Sequence, residues 1–193
     1  MKHKPKFCLG TAQFGMPYGI ANKRGQVDPD EMIAILDLAW ENGINTLDTG
    51  KSYGNCEESI GNYLKKRSGC LWTIITKLNV SGVSFSDQIN DSYEKLTIVP
   101  TIIMAHSADI FLEDEFQKEL YDLKGRKMIT KVGVSLYNTD EINQVLESAL
   151  KPDIIQLPMN ILDTRLYRNG MLERLYKKNI EIHIRSAFLQ GLF

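Results

Sequence analysis

No stretch of this chain approaches the ~18 consecutive apolar residues that a membrane-spanning helix requires. Cysteine is scarce: Cys8, Cys56 and Cys70 are an odd number with no CxxC spacing, so neither a disulfide framework nor a zinc site is expected. Reduced thiols suit a cytoplasmic protein. The basic start Met1-Lys2-His3-Lys4-Pro5 leads into no apolar segment of the kind a signal peptide needs. Charge of one sign is also missing, since 23 Lys and Arg face 24 Asp and Glu for a formal net charge of −1. Neither nucleic acid nor an anionic membrane is therefore expected as a partner. The densest basic run, Lys65-Lys66-Arg67, falls where a helix should end, and cations there complement its dipole. Paired His or carboxylate ligands at the first strand, which a metal-dependent barrel hydrolase would need, are absent. His3 and His183 have no ligand-like neighbours in sequence, so no metal is expected.

What is present is a globular composition, 43% apolar and 24% charged, expected to form a single domain over residues 1–193. Short runs rich in Ile, Val, Thr and Leu predict strands at Lys6–Gly10, Ile44–Asp48, Trp72–Lys77, Thr101–His106, Lys131–Ser135, Ile154–Gln156 and Glu181–Arg185. Six helices are predicted between them: Met32–Asn42, Glu57–Arg67, Ser86–Leu96, Glu113–Lys124, Thr139–Leu150 and Leu166–Lys178. Asp28-Pro29 opens the first as a cap and a proline at the first helical position. Glu57-Glu58 reads as acids at a helix N-terminus, and Ser86-Asp87 and Thr139-Asp140-Glu141 as N-terminal caps.

Strands alternating with helices give an α/β fold with a parallel sheet. A doubly wound sheet would carry a Gly-rich phosphate loop directly between its first strand and helix. Here Leu9-Gly10-Thr11-Ala12-Gln13-Phe14-Gly15 runs into a long loop instead. A barrel fits better, because Asp48, Lys77, His106 and Ser135 follow one another at intervals of 29 positions, and Gln156 and Arg185 repeat that interval. Such spacing delivers one polar residue per strand to the C-terminal rim, where barrel active sites lie. The expectation is a (β/α)8 TIM-barrel type, incomplete, with about seven parallel strands and six helices. Without an eighth strand the first and seventh cannot satisfy each other's edges. Such open edges invite self-association. Leu189–Phe193 is too short to supply a strand and its connection.

Three ionisable groups at three successive strand ends, with Tyr53 in the loop after Asp48, suggest chemistry. A free Tyr titrates near about 10, too high for an efficient acid at neutral pH. A neighbouring Lys77 ammonium should stabilise the phenolate and lower that value. Asp48 is placed to supply the counter-charge that a buried lysine needs. A neutral His106 could hold a carbonyl oxygen by a hydrogen bond. The set suits carbonyl reduction.

Asp48-Thr49-x-x-x-Tyr53-Gly54, Thr76-Lys77 and Ala105-His106-Ser107-x-Asp109 resemble the successive signatures of the aldo-keto reductases. Leu9-Gly10-Thr11, Val132-Gly133-Val134-Ser135, Ile155-Gln156 and Arg185-Ser186-x-x-x-Gln190-Gly191 match in the same order. The resemblance implies NADP(H) as cofactor and a small-molecule carbonyl substrate, an aldehyde, ketone or sugar. It implies Asp48, Tyr53, Lys77 and His106 as the catalytic tetrad, with Tyr53 the general acid. It further implies cofactor contacts from Thr11, Ser135, Gln156, Arg185, Ser186, Gln190 and Gly191. Ser135 and Gln156 would hold the nicotinamide carboxamide, and Arg185 would stack on the nicotinamide where many members have Tyr. Leu136 stands where many members have Asn, with Asn138 close by. The family's main 2′-phosphate site lies at an eighth strand that has no counterpart in these 193 residues, so weak NADPH affinity is expected. The alternative is a non-catalytic binding or regulatory module that has lost its cofactor.

Overall fold

The central strands are continuous apolar runs because both of their faces are covered, whereas the seventh, Glu181–Arg185, alternates polar and apolar residues and stays partly exposed. The computed structural model describes residues 7–67, 69–80 and 82–192. Strands β1 (Leu9–Gly10), β2 (Thr46–Asp48), β3 (Thr73–Leu78), β4 (Ile102–Ala105), β5 (Lys131–Ser135), β6 (Ile154–Pro158) and β7 (Glu181–Arg185) lie side by side in chain order, all parallel. Among the described residues β1 and β7 do not pair, so the barrel wall is open between them. The expected beginning of β1 at Lys6 lies outside the described residues, as do His3 and Phe193.

Eight α-helices, rather than the six expected, occur among the described residues: α1 (Pro29–Glu41), α2 (Cys56–Lys66), α3 (Phe85–Leu96), α4 (Ala108–Leu112), α5 (Asp114–Gly125), α6 (Thr139–Glu147), α7 (Arg165–Arg168) and α8 (Met171–Lys177). Five-residue α4 was missed because it is too short to display a periodicity; Ser107 caps it by accepting a hydrogen bond from the Ile110 amide. The single expected helix Leu166–Lys178 is split at Gly170, whose φ of 76° leaves the right-handed helical region. Asp28 caps α1 as expected. Ser84 rather than Ser86 caps α3, and Asn138 rather than Thr139 caps α6.

Outward-facing strand residues such as Leu47, Ile74, Ile103, Val132, Val134 and Ile155 pack under the helices in two buried clusters. Each such side chain contributes about 1.5–3 kcal/mol when fully buried. Inward-facing Ile75, Ile102, Met104 and Ile154 form a third, smaller cluster inside the curl of the sheet. Strand residues alternate faces, so the position two beyond Ile75 is again inward, and there the apolar filling gives way to Lys77.

Candidate active site

Asp48, Lys77 and His106 come to the C-terminal ends of β2, β3 and β4, or one residue beyond. Tyr53 joins them from the β2–α2 loop. That loop extends the sheet's hydrogen-bond ladder: Thr49 N–H donates to Ile75 O at 2.8 Å and Lys51 N–H to Lys77 O at 3.0 Å. Gly54 lets it turn back, with φ of 59° and a position where a Cβ would lie 2.1 Å from the Gly15 carbonyl oxygen.

Lys77 is fully buried, and its ammonium donates to Asp48 Oδ1, to the Thr49 carbonyl oxygen at 3.3 Å and to Tyr53 Oη at 3.2 Å. His106 meets Tyr53 edge to face, with ring centroids 6.1 Å apart. His106 Nδ1 lies 3.5 Å from Ser52 Oγ, which itself accepts a hydrogen bond from Asn79 Nδ2 at 2.8 Å. Nε2 takes no partner among the described residues. Sequence reasoning passed over Ser52 and Asn79, whose only signal was a place one residue before Tyr53 and two after Lys77.

Burial alone would depress the Lys77 ammonium, but the Asp48 charge, Tyr53 and the hydrogen bonds to both carry it above its ordinary value. Tyr53 departs from the expected direction. Burial pushes its phenol above the ordinary range, and the downward pull of Lys77 does not overcome this. It is therefore held protonated, the form in which a phenol can give up a proton. His106 moves down, first through burial and then through the charges of Lys77 and Arg185, which keeps the imidazole neutral.

The residues expected at a cofactor divide into two groups. Ser135 and Gln156 are opposite one another on β5 and β6, both buried and both inward. Ser135 Oγ accepts from Arg185 Nε at 3.2 Å, and Gln156 Nε2 donates to Asp48 Oδ2 at 2.5 Å. The serine hydroxyl is left as a donor and Gln156 Oε1 as an acceptor, the pair that a primary carboxamide complements. Arg185 is oriented by neutral groups: Ser135, Ser186 Oγ at 3.4 Å, the Leu136 carbonyl oxygen at 3.4 Å and the Tyr137 ring, 4.0 Å from its centroid. Among the described residues no carboxylate pairs with it, so its charge is available to an anionic or π-electron ligand.

The other group is engaged elsewhere. Thr11 is buried, its hydroxyl donating to the Asp48 carbonyl oxygen at 2.8 Å and accepting from Cys56 Sγ, so it braces β1 against β2. The Gln190 side chain donates to Tyr18 Oη and accepts from the Ile20 amide, both at 3.2 Å, tying the turn after β7 to the loop after β1. Gly191 follows in that turn. Leu136 is fully buried and has no polar side-chain group to offer a carboxamide, and Asn138 is engaged at both ends by Glu141. Among the described residues no group of His, Cys, Asp and Glu could hold a metal ion, and no helix is long and apolar enough to cross a membrane.

The family model of the aldo/keto reductases matches residues 6–193. No curated protein matches the chain in sequence. Among solved structures, a Pseudomonas aeruginosa protein assigned to the aldo-keto reductases superposes with a TM-score of 0.76 at 23% identity, over 93% of this chain and 72% of that one. An aldo/keto reductase from Brucella melitensis gives 0.71 at 20% identity, over 95% and 69%. One from Klebsiella pneumoniae, in complex with NADP and acetate, gives 0.76 at 15% identity, over 97% and 65%. The chain thus spans about two thirds of the length of the solved structures it resembles. At these identities the superpositions speak for the fold, and the family match over nearly all of the sequence speaks for descent. The chain belongs to the aldo/keto reductase family.

Proposed function

We propose that this chain carries the proton-donating half of an NADP(H)-dependent carbonyl reductase acting on an aldehyde, ketone or sugar. The observation that carries the reading is the Tyr53–Lys77 contact at 3.2 Å, with Lys77 neutralised by Asp48 and His106 edge-on to the same phenol. Bound NADP(H) supplies the hydride. Ser135 and Gln156 would hold its carboxamide, and Arg185 would lie against its ring. As the carbonyl carbon is reduced, Tyr53 passes its phenolic proton to the carbonyl oxygen, and the Lys77 ammonium stabilises the phenolate left behind. Asp48 keeps the buried Lys77 charged. Neutral His106, with Nε2 uncommitted, donates to the carbonyl oxygen and orients it.

The reading is tested by following NADPH oxidation with a panel of aldehydes and ketones, alongside a fluorescence titration of NADPH into the chain. Saturable binding together with substrate-dependent oxidation supports it. Absence of both would leave a non-catalytic module as the better description.

A further inference from the structure

Glu57 is buried to 4% exposure at the second position of α2, on the far side of the sheet from the catalytic cluster. A helix N-terminus favours an acid, but the dipole alone does not call for burying one. Its carboxylate collects three donors from three elements. Oε1 accepts from Thr76 Oγ1 on β3 at 2.6 Å and from Ser92 Oγ on α3 at 2.9 Å, and Oε2 accepts from Lys51 Nζ at 3.3 Å. Lys51, whose side chain is only 12% exposed, also pairs with Asp91, which in turn receives Lys95.

The placement of these donors matters. Lys51 is two residues before Tyr53 in the loop that presents it. Thr76 is the residue before Lys77 and points to the outer face of β3, while Lys77 points to the inner. One buried carboxylate therefore grips both pieces of backbone whose separation sets the Tyr53–Lys77 distance. The Lys51 N–H bond to Lys77 O is the main-chain part of the same clamp. We propose that Glu57 and Lys51 are positioning residues, which lock the loop over residues 49–54 onto β3 and so hold Tyr53 against Lys77. The inference rests on Tyr53 as the proton donor, because only then does this distance bear on a rate.

The groups facing the Tyr53 phenol are Lys77, Asp48, His106 and Tyr18. Neither Lys51 nor Glu57 is among them, so their effect on Tyr53 must pass through geometry. The test is a titration of Tyr53, carbon-13 labelled at Cζ and assigned with Tyr53→Phe, in the whole chain without cofactor or substrate. Loosening the loop weakens the Lys77 contact, so Lys51→Met and Glu57→Gln should cut the ionised fraction at a fixed alkaline pH by roughly three- to tenfold. Lys51→Arg should restore it. In the turnover assay the same variants should lower kcat by about tenfold or more with KM unchanged, since small misplacements of a reacting group are costly.

Lys51→Met strands the Glu57 charge and can fail to fold; the Lys51→Met/Glu57→Gln double variant removes both charges and should show the same displaced titration. An unchanged Tyr53 titration in the folded double variant would overturn the proposal. A displaced titration in a chain that reduces no carbonyl would support the clamp and overturn the functional reading instead.

Discussion

Replacing Lys77 by Met removes the group on which the site's electrostatics turn. The Lys77 and Asp48 side chains are 2% and 15% exposed, so the pair is buried and screened little by solvent. In Lys77→Met the Asp48 carboxylate keeps Gln156 Nε2, at 2.5 Å, as its one remaining side-chain donor among the described residues. Breaking a buried pair from one side typically costs about 3–5 kcal/mol, because the surviving charge is uncompensated. With a urea slope of roughly 2–3 kcal/mol/M for a chain of this size, the unfolding midpoint should fall by about 1–2.5 M. Lys77→Met/Asp48→Asn removes both charges, while the amide oxygen introduced beside Gln156 can still accept its hydrogen bond, and it should recover at least half of the loss. The sign with pH follows from the raised Lys77 value: the pair's contribution is full below the ordinary lysine value of about 10.5 and is lost as pH climbs through the higher folded value. Urea unfolding of the single and double variants at neutral pH checks the argument. A double variant no more stable than Lys77→Met would refute it.

His106 should stay neutral below its ordinary value of 6.5, so the acid limb of kcat/KM should lie below that pH. Because its folded value is depressed, stability should also begin to fall as pH drops through about 6.5, which pH-dependent denaturation and imidazole NMR can follow. Ser135→Ala and Gln156→Leu each remove one contact to a carboxamide, so each should weaken NADPH binding by roughly two- to tenfold in a fluorescence titration. Gly54→Ala adds a Cβ 2.1 Å from the Gly15 carbonyl oxygen in a left-handed backbone. It should lower the thermal midpoint measurably and reduce turnover more than Cys70→Ser, a change away from the site.

The strand pattern was legible because a buried parallel strand announces itself as an apolar run; β5 falls on its expected limits, and so does β7, which is exposed in part and alternates instead. The 29-residue interval carried further, since residues at equal steps in successive βα units share a rim; Asp48, Lys77, His106, Ser135, Gln156 and Arg185 do so. Three features had no local signal. Helix α4, at five residues, spans little more than one turn and cannot show a repeating apolar face. Whether Tyr53 would titrate low or high depended on burial competing with Lys77, and burial is set by tertiary packing rather than by spacing. Glu57 looked like an ordinary acid at a helix start, and only the fold brings Thr76, Ser92 and Lys51 around it. Asn138 stands near Ser135 in sequence, and the fold engages both ends of its amide with Glu141 as the cap of α6.

The central claim is that Tyr53 delivers the proton, and Tyr53→Phe tests it most directly because it deletes one oxygen and leaves the ring. In single-turnover reduction of an aldehyde with NADPH saturating, the chemical step should slow by roughly 10²–10⁴-fold while NADPH affinity stays within about twofold. A Tyr53→Phe chain that reduces the aldehyde at the unaltered rate would contradict the account.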